Sequence, residues 1–258
     1  MKIATNIQSY KRAGAVDTLK IVPDATVWVH KFEIDDYRAQ NHDALIRELP
    51  DDTRGNLPKV KNFILEKTWA AGFDACLFLD DDMNHIAYWQ DNKRFRIEGD
   101  SLRLFVLKHS ILCKEWGFNL WGVNVNNDKQ CYREYTPFST LSYVSSSFSC
   151  FLRGNELRYD EQFPLKEDYD MTIQQCAKYR GLLRVNRAYY YKKSMENVGG
   201  CGMYRNVDRE KAQLALLQKK WGSSIVQLDS LENSRNHLTE KTRAFDINPV
   251  LHIPIHGV

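Results

Sequence analysis

The sequence lacks any long hydrophobic run. Its longest apolar run covers five residues, 75–79, whereas a membrane-spanning helix needs roughly 20. The first residues already mix polar and apolar side chains, unlike the apolar core of a secretory signal. None of the six cysteines forms a C-x-x-C pair with another. We therefore expect no membrane span, a cytoplasmic location and reduced thiols.

A strong charge of either sign is also missing. Lysine and arginine number 36 against 33 acidic residues, a net charge of +3, which is too weak to indicate a nucleic-acid or membrane partner by itself. Hydrophobic residues make up 43% of the 258 residues, which is ordinary for a globular protein and excludes disorder. Aromatic residues, at 12%, are the type in excess.

Strand and helix patterns alternate along the chain. Strand patterns occupy residues 2–7, 26–30, 73–79, 118–125 and 142–152, and helical patterns occupy residues 57–71, 101–116, 168–180 and 207–220. Such alternation predicts an α/β sandwich with a mainly parallel sheet. Ligands bind such sheets at the carboxyl ends of the strands.

Three aspartates, Asp80, Asp81 and Asp82, follow the most apolar strand. On an extended backbone Asp80 and Asp82 point to one side and Asp81 to the other. Two carboxylates about 4 Å apart repel by about 4 kcal/mol at an effective dielectric of ~20. A hard divalent cation with open coordination positions for a diphosphate would offset this repulsion. The alternative is a solvated acidic turn or a helix N-cap cluster.

Two segments of small residues have both functional and structural interpretations. The glycines around 199–202 would let the backbone approach a phosphate, or they form a surface turn. The serines within 145–149 would line a sugar or acceptor pocket, or they form a turn or the polar face of a strand.

Residues 178–193 combine basic and tyrosine side chains and contain no acid. Basic groups bind phosphates and aromatic rings stack on bases, so this mixture suits a nucleic-acid strand. The candidate contacts are Lys178, Arg180, Arg184, Arg187, Tyr189 and Lys192. A smaller basic patch covers residues 93–96. The alternative is an ordinary edge, with a helix end followed by strands whose tyrosines alternate between core and solvent.

Four segments, in chain order, resemble the GT-A glycosyltransferases. Cys76 to Asp82 resembles their strand and D-x-D motif, and Ile3 to Arg12 their first strand and nucleotide loop. Gly55 to Asn62 resembles the segment that faces the nucleotide sugar, and Glu167 to Asp170 the element that supplies the catalytic base. This resemblance implies a Rossmann-like three-layer α/β/α sandwich over residues 1–205, with the helix and tail of residues 206–258 packed on the same domain.

A narrower likeness is carried by Ser9 to Ala13, by His30 to Glu33 followed by Tyr37 and Arg38, and by the acidic triplet. Lys166 to Asp170 and Asn197 to Cys201 complete it. This combination is similar to the TET-associated glycosyltransferases, largely bacteriophage enzymes thought to glycosylate hydroxymethylated pyrimidines in DNA.

The resemblance implies a nucleoside-diphosphate sugar donor, with UDP-glucose first, and 5-hydroxymethylcytosine in DNA as acceptor. A base inside DNA would have to leave its stack to reach the sugar. Asp82 would bind Mn²⁺ or Mg²⁺, and Asp80 would touch the ribose or complete the metal shell. Asp168 would act as the base of an inverting transfer, with Asp170 as its competitor and helix capping as its structural alternative. The donor-binding candidates are Ser9, Tyr10, Lys11, Arg12, Lys59, Lys61, Asp80 and Asp81.

One feature of the pattern is missing. Many GT-A enzymes add a C-terminal histidine as a metal ligand, and residues 192–204 contain none. Asn197, a backbone carbonyl, His237, His252 or His256 would have to substitute. Three other functions stay open: glycosyl transfer to a glycan or lipid carrier, a non-catalytic nucleic-acid-binding module, and nucleotidyl transfer, which would use the same two-carboxylate metal chemistry.

Overall fold

The protein is a mixed α/β structure, seen in a computed structural model that describes residues 1–132, 134–192, 200, 204–228 and 247–255. Among these residues, ten strands form the main sheet. They are β1 (Ile3–Gln8), β2 (Thr26–His30), β3 (Leu45–Leu49), β4 (Ala75–Asp80), β5 (Met83–Gln90), β6 (Lys93–Arg96), β7 (Leu120–Asn124), β8 (Phe138–Ser139), β9 (Phe148–Leu152) and β10 (Leu183–Lys192). Two short strands, β11 (Val226–Leu228) and β12 (Pro249–Leu251), form a separate antiparallel pair.

The main sheet has the strand order β3-β2-β1-β4-β9-β7-β10-β5-β6, with β8 paired to β10. Strands β3, β2, β1, β4, β7, β10 and β6 point the same way, which is seven of the nine strands on the main path. The two reversed strands are β9, between β4 and β7, and β5, between β10 and the edge strand β6. The prediction of a mainly parallel sheet is therefore confirmed.

The described residues form five helices: α1 (Ile34–Gln40), α2 (Leu57–Ala70), α3 (Gly99–Glu115), α4 (Glu167–Tyr179) and α5 (Val207–Trp221). Helices α1 and α3 pack on one face of the sheet, α2 and α4 pack on the other, and α5 packs against α4. Alternate residues of β4 separate the two cores. Leu77 and Leu79 pack in the core that includes Val106 of α3, while Phe78 packs with Ile64 of α2. The expected three-layer sandwich is thus present.

The local sequence explains where α2 begins and ends. The side chain of Asn56 accepts a hydrogen bond from the Lys59 amide at 3.1 Å, which caps the helix. Pro58 lies in the first turn, where its missing amide hydrogen costs nothing. Gly72 follows the helix with a φ of +81°, a conformation that favours glycine. The predicted bounds of the longer helices agree with the structure to within two residues.

The edge hairpin of β5 and β6 was not predicted as strands. Its turn consists of Asp91 and Asn92, which both have positive φ, at 50° and 59°. Two such residues form the tight turn whose twist matches a β-hairpin. Every residue of β6 is exposed, so this strand lacks the apolar alternation by which strands are recognised.

Helix α5 is attached to the body by a buried charge cluster. Glu210 of α5 is fully buried, and its carboxylate lies 2.5 Å from the ammonium of Lys166, beside α4, and 2.6 Å from the guanidinium of Arg205. Leu214 and Leu217 pack with Phe163 and Ile173. The division into residues 1–205 and 206–258 stays a prediction, and residues 229–246 lie outside the described chain.

Within the described ranges, no helix has the length and apolar character needed to cross a membrane. Five cysteines there are free thiols, and all but Cys131 are buried. The sixth, Cys201, lies outside these ranges.

Replacing Glu210 with glutamine should lower the free energy of unfolding by about 3–5 kcal/mol, because the buried ammonium of Lys166 loses its counter-charge. Denaturant unfolding followed by circular dichroism would measure this change. Exposed Glu115 provides the matched control, since Glu115→Gln should change the stability by less than about 0.5 kcal/mol. A Glu210→Gln loss as small as that of the control would show that the ion pair does not hold α5 in place.

Candidate active site

A cavity of about 700 Å³ opens where β1 and β4 end. Its wall combines the loop after β1, the acidic triplet, the start of α2, the serines before β9 and the start of α4. Gly200 also lines it, and its amide donates to the Tyr10 carbonyl at 3.0 Å. The carboxyl ends of the strands thus form the cavity wall, as expected for a sheet of this kind.

Asp80 is the last residue of β4 and is held by three donors. Gln8 Nε2 lies 2.9 Å from Oδ1, while Ser147 Oγ and Lys192 Nζ lie 2.6 Å and 2.5 Å from Oδ2. Burial alone would raise the pKa of Asp80, but the charges of Lys192 and Lys61 and these hydrogen bonds outweigh it and lower the pKa to about 2. Asp80 is therefore ionised and tied to the ends of β1 and β10.

Asp81 and Asp82 lie in the turn after β4, so the side-to-side alternation expected for the triplet stops at Asp80. Arg12 Nη1 is 2.6 Å from Asp81 Oδ1 and 3.3 Å from Asp82 Oδ2. Ser9 Oγ donates to Asp81 Oδ2 at 2.5 Å. Burial raises the pKa of Asp81 to about 6 against the opposing effect of Arg12. The two side chains Arg12 and Lys192 thus supply the positive charge that the triplet requires.

The described residues contain no cluster of three or more histidine, cysteine, aspartate or glutamate side chains that could hold a metal ion. Asp80 and Asp82 fit only a cation that takes one or two protein oxygens and completes its shell with water or a diphosphate. Of the extra ligands considered, His252 is not among the described residues that line the cavity. Asn197, His237 and His256 lie outside the described chain.

Asp168 faces the same cavity from the first turn of α4. The Tyr143 hydroxyl donates to its Oδ2, which also accepts from the Ser146 amide at 3.3 Å. Asp168 is the second residue of α4, and the N-cap position belongs to Lys166. The alternative role of Asp168, capping the N-terminus of α4, is therefore not the one that the structure shows.

Glu167, beside Asp168, is buried under the serines. Ser146 Oγ donates to its Oε1 at 2.7 Å. Burial, followed by the charge of Asp168, raises the pKa of Glu167 to about 7. Glu167 therefore keeps its proton to a higher pH than an exposed glutamate does.

Asp170 lies on the other side of α4 and is fully buried. Its Oδ1 accepts from Trp221 Nε1 at 2.7 Å and is 2.8 Å from Lys220 Nζ, both on α5. Gln174 Nε2 donates to its Oδ2 at 2.6 Å. This corrects the expectation that Asp170 competes with Asp168 as the base, because its carboxylate is committed to α5.

The donor-binding candidates separate into two groups. Ser9, Tyr10, Arg12, Asp80 and Asp81 line the cavity, but Lys11, Lys59 and Lys61 are not among the described residues of its wall.

Lys61 lies behind this wall. It is fully buried and donates to the Ser146 carbonyl at 2.6 Å. Lys61 therefore acts on Asp80 and Glu167 through its charge. Lys11 is exposed and is part of a separate cleft beside α1.

The acceptor candidates do not share one environment. Lys178 is 2.5 Å from Glu156, and Arg184 is half-buried with its Nε 2.9 Å from Asn186 Oδ1. Arg187 lies over the ring of Tyr88, and Arg180 ends α4 with a φ of 64°. This corrects the expectation of one basic face across residues 178–193.

Lys192 differs most from its prediction. It is the one acceptor candidate among the described residues that lines the cavity, where it contacts Asp80. Asp80 raises the pKa of Lys192 although burial opposes its charge. Lys192 therefore lies beside the acidic triplet and apart from the other acceptor candidates.

Several wall residues were missed from the sequence. Gln8 and Tyr143 line the cavity but are not among the candidates from the sequence. Gln8 was the easier of the two to predict, because it directly follows the first strand pattern. Tyr143 had no local signal, since its contact with Asp168 joins residues 25 positions apart.

The solved structures of other proteins include similar folds at low sequence identity. One is glucosyl-3-phosphoglycerate synthase from Mycobacterium tuberculosis, in complex with Mn²⁺, UDP-glucose and phosphoglyceric acid. It has a TM-score of 0.52 and 14% identity, with 90% of this chain and 84% of that chain covered. The same synthase with Mg²⁺ and UDP has a TM-score of 0.51 and 13% identity, covering 88% and 83%. No curated protein matches the chain.

A protein-family model identifies the family of this chain. The model for the TET-Associated Glycosyltransferases matches residues 7–200, which include the loop after β1, the acidic triplet and the start of α4. The chain therefore belongs to the TET-Associated Glycosyltransferase family and is a glycosyltransferase.

Proposed function

We propose that the protein transfers glucose from UDP-glucose to the hydroxyl group of 5-hydroxymethylcytosine in DNA, with inversion and with a divalent metal ion. The observation that carries this proposal is the single cavity shared by Asp80, Asp82 and Asp168. Two carboxylates at a strand end suit a metal-bound diphosphate, and a third across the cavity suits a base. Membership of the glycosyltransferase family supports the same reaction class.

The donor half of the proposal uses the triplet and its two cations. Asp82, with Asp80 beside it, would hold Mn²⁺ or Mg²⁺, which would neutralise charge on the departing diphosphate. Arg12 and Lys192 lie close enough to the triplet to contact the same phosphates. The cavity volume of about 700 Å³ is within the range of small-molecule sites. Bound Mn²⁺ and UDP-glucose in the similar synthase also support this donor.

The acceptor half uses Asp168. Its Oδ2 would take the proton of the acceptor hydroxyl as that oxygen forms a bond to the anomeric carbon. The bond from this carbon to the diphosphate oxygen breaks, and the electron pair leaves with UDP. The Tyr143 hydroxyl and the Ser146 amide hold the carboxylate in place. A cytosine in DNA would have to swing out of its stack to reach this cavity.

A glycan or other small acceptor is the competing function, because the basic residues 178–193 do not form one face. The deciding experiment incubates the protein with UDP-glucose, Mn²⁺ and DNA containing 5-hydroxymethylcytosine, and then weighs the nucleosides by mass spectrometry. Plain cytosine DNA and a mixture of oligosaccharides serve as parallel acceptors. Hexose on the hydroxymethylated base alone supports the proposal, whereas hexose on the oligosaccharides alone overturns it.

Replacing Asp82 with asparagine should abolish the Mn²⁺-dependent part of UDP binding, because the charge that attracts the metal is lost. Isothermal titration of UDP with and without Mn²⁺ would measure this. Exposed Asp43 supplies the control, and Asp43→Asn should bind UDP like the wild type. Retention of the full Mn²⁺ effect in Asp82→Asn would remove Asp82 from the metal site.

Replacing Asp168 with asparagine should lower kcat by roughly 10²–10⁴-fold, the usual size of a general-base contribution. The KM for UDP-glucose should stay within about twofold, because Asp168 faces the acceptor in this proposal. Steady-state kinetics at saturating acceptor would measure both values. A raised donor KM with an unchanged kcat would contradict the assignment.

Replacing Tyr143 with phenylalanine should lower kcat, because the carboxylate of Asp168 loses the hydroxyl group that donates to its Oδ2. We expect a loss of up to about 10²-fold, the effect of a small misplacement of a reacting group. Steady-state kinetics at saturating acceptor would measure it. Exposed Tyr135 is the control, since Tyr135→Phe should leave kcat unchanged. An unchanged kcat in Tyr143→Phe would leave Tyr143 with a packing role only.

A further inference from the structure

An aromatic platform lies on the sheet edge formed by β10, β5 and β6. The rings of His85 and Tyr191 stack with centroids 5.2 Å apart, and those of Trp89 and Tyr189 with centroids 6.0 Å apart. Tyr191 is 41% exposed, and Trp89 and His85 are half-buried. Unpaired bases stack on exposed rings such as Tyr191, whereas Tyr189 is only 2% exposed and supports Trp89 from within the protein.

Basic side chains border the same platform. In the register of the hairpin, Arg94 lies opposite Trp89 and Arg96 opposite Ala87. Burial, together with the charges of Arg94 and Arg96, lowers the pKa of His85, so both arginines are near that ring. Arg96 is 3.5 Å from Glu98, while β6 itself contains three bases and no acid. The platform therefore offers both rings and positive charge, as a nucleic-acid strand requires.

The platform begins beside the cavity. Lys192, which contacts Asp80, pairs with Met83, and the next pair along the ladder is Tyr191 with His85. Met83 itself follows directly after Asp82. At about 3.3 Å per residue, Trp89 lies about 20 Å from Met83 along β5. The rings thus extend from the rim of the cavity outward along the hairpin.

We propose that this platform binds the unpaired DNA strand that carries the target base, and that it does so by stacking on Trp89 and Tyr191 and by phosphate contact with Arg94. This inference rests on the proposed DNA acceptor and moves its contacts from residues 178–187 to the β5–β6 hairpin. Strand β6 lies at one edge of the sheet, and α1 packs on β3 at the other. Arg38 of α1 is therefore a suitable control arginine.

The test measures the binding of a fluorescent single-stranded oligonucleotide containing 5-hydroxymethylcytosine, by anisotropy, across a range of salt concentrations and without donor. Trp89→Ala and Tyr191→Ala should each weaken binding by about tenfold or more. Trp89→Phe and Tyr191→Phe should keep most of the affinity, because a ring remains. Equal losses in the alanine and phenylalanine variants would overturn stacking as the cause.

The salt dependence of DNA binding distinguishes the phosphate contact of Arg94 from stacking on the aromatic rings. Arg94→Ala should reduce the slope of log K against log salt by about 0.7, the value for one contact with a single strand. Trp89→Ala should lower the affinity and leave this slope unchanged. Arg38→Ala should change neither quantity. A slope that changes as much in Arg38→Ala as in Arg94→Ala would show only a general charge effect and would overturn the assignment.

Two further outcomes keep this inference distinct from the proposed function. If the variants lose DNA binding as expected but no acceptor DNA is glycosylated, the platform stands and the proposed reaction fails. If DNA is glycosylated but all platform variants bind it like the wild type, the platform fails alone. Sedimentation of the wild type and Trp89→Ala tests a second copy as occupant, because a dimer that Trp89→Ala disperses, with DNA affinity unchanged, also overturns the inference.

Discussion

The structure of the site depends on placing three adjacent carboxylates at the end of a buried strand. Like charges this close are unfavourable unless cations and hydrogen-bond donors face them. Arg12 comes from the loop after β1, and Lys192 from the end of β10. The triplet therefore ties together the ends of three strands, β1, β4 and β10, that are remote in sequence.

This compensation has a consequence for donor binding. Arg12 and Lys192 already satisfy part of the charge on Asp80, Asp81 and Asp82, so a metal ion would enter a site that is not strongly anionic. A diphosphate brings its own negative charge and can take over the contacts of the two cations. Metal and nucleotide would then bind better together than separately, since each supplies the charge that the other needs. Such coupling fits a site whose carboxylates alone cannot complete a metal shell.

The fold was largely predictable because its helices and central strands have clear periodicity. Helix α2 has a capping residue, an apolar face and a terminal glycine, and β4 is a short apolar run. The edge strand β6 was not predictable in the same way, because every one of its residues is exposed. At the site, residues that follow strand patterns, such as Ser9 and Asp80, were found. The contact of Tyr143 with Asp168 and that of Lys192 with Asp80 join residues far apart in sequence, so no local pattern could predict them.

Asp168 and Asp170 show which part of the site geometry follows from the sequence and which part requires the fold. Residues two apart on a helix differ in direction by about 200°, so only one of them can face a given cavity. Asp168 faces the cavity, and Asp170 faces α5, where Trp221 and Lys220 meet it. Helical geometry alone implies this opposition, but which of the two residues faces the cavity depends on how α4 packs on the sheet. The buried contacts of Asp170 also join the C-terminal helix to the helix that presents Asp168. Through these contacts Trp221 and Lys220 of α5 support α4, the helix from which Asp168 faces the cavity.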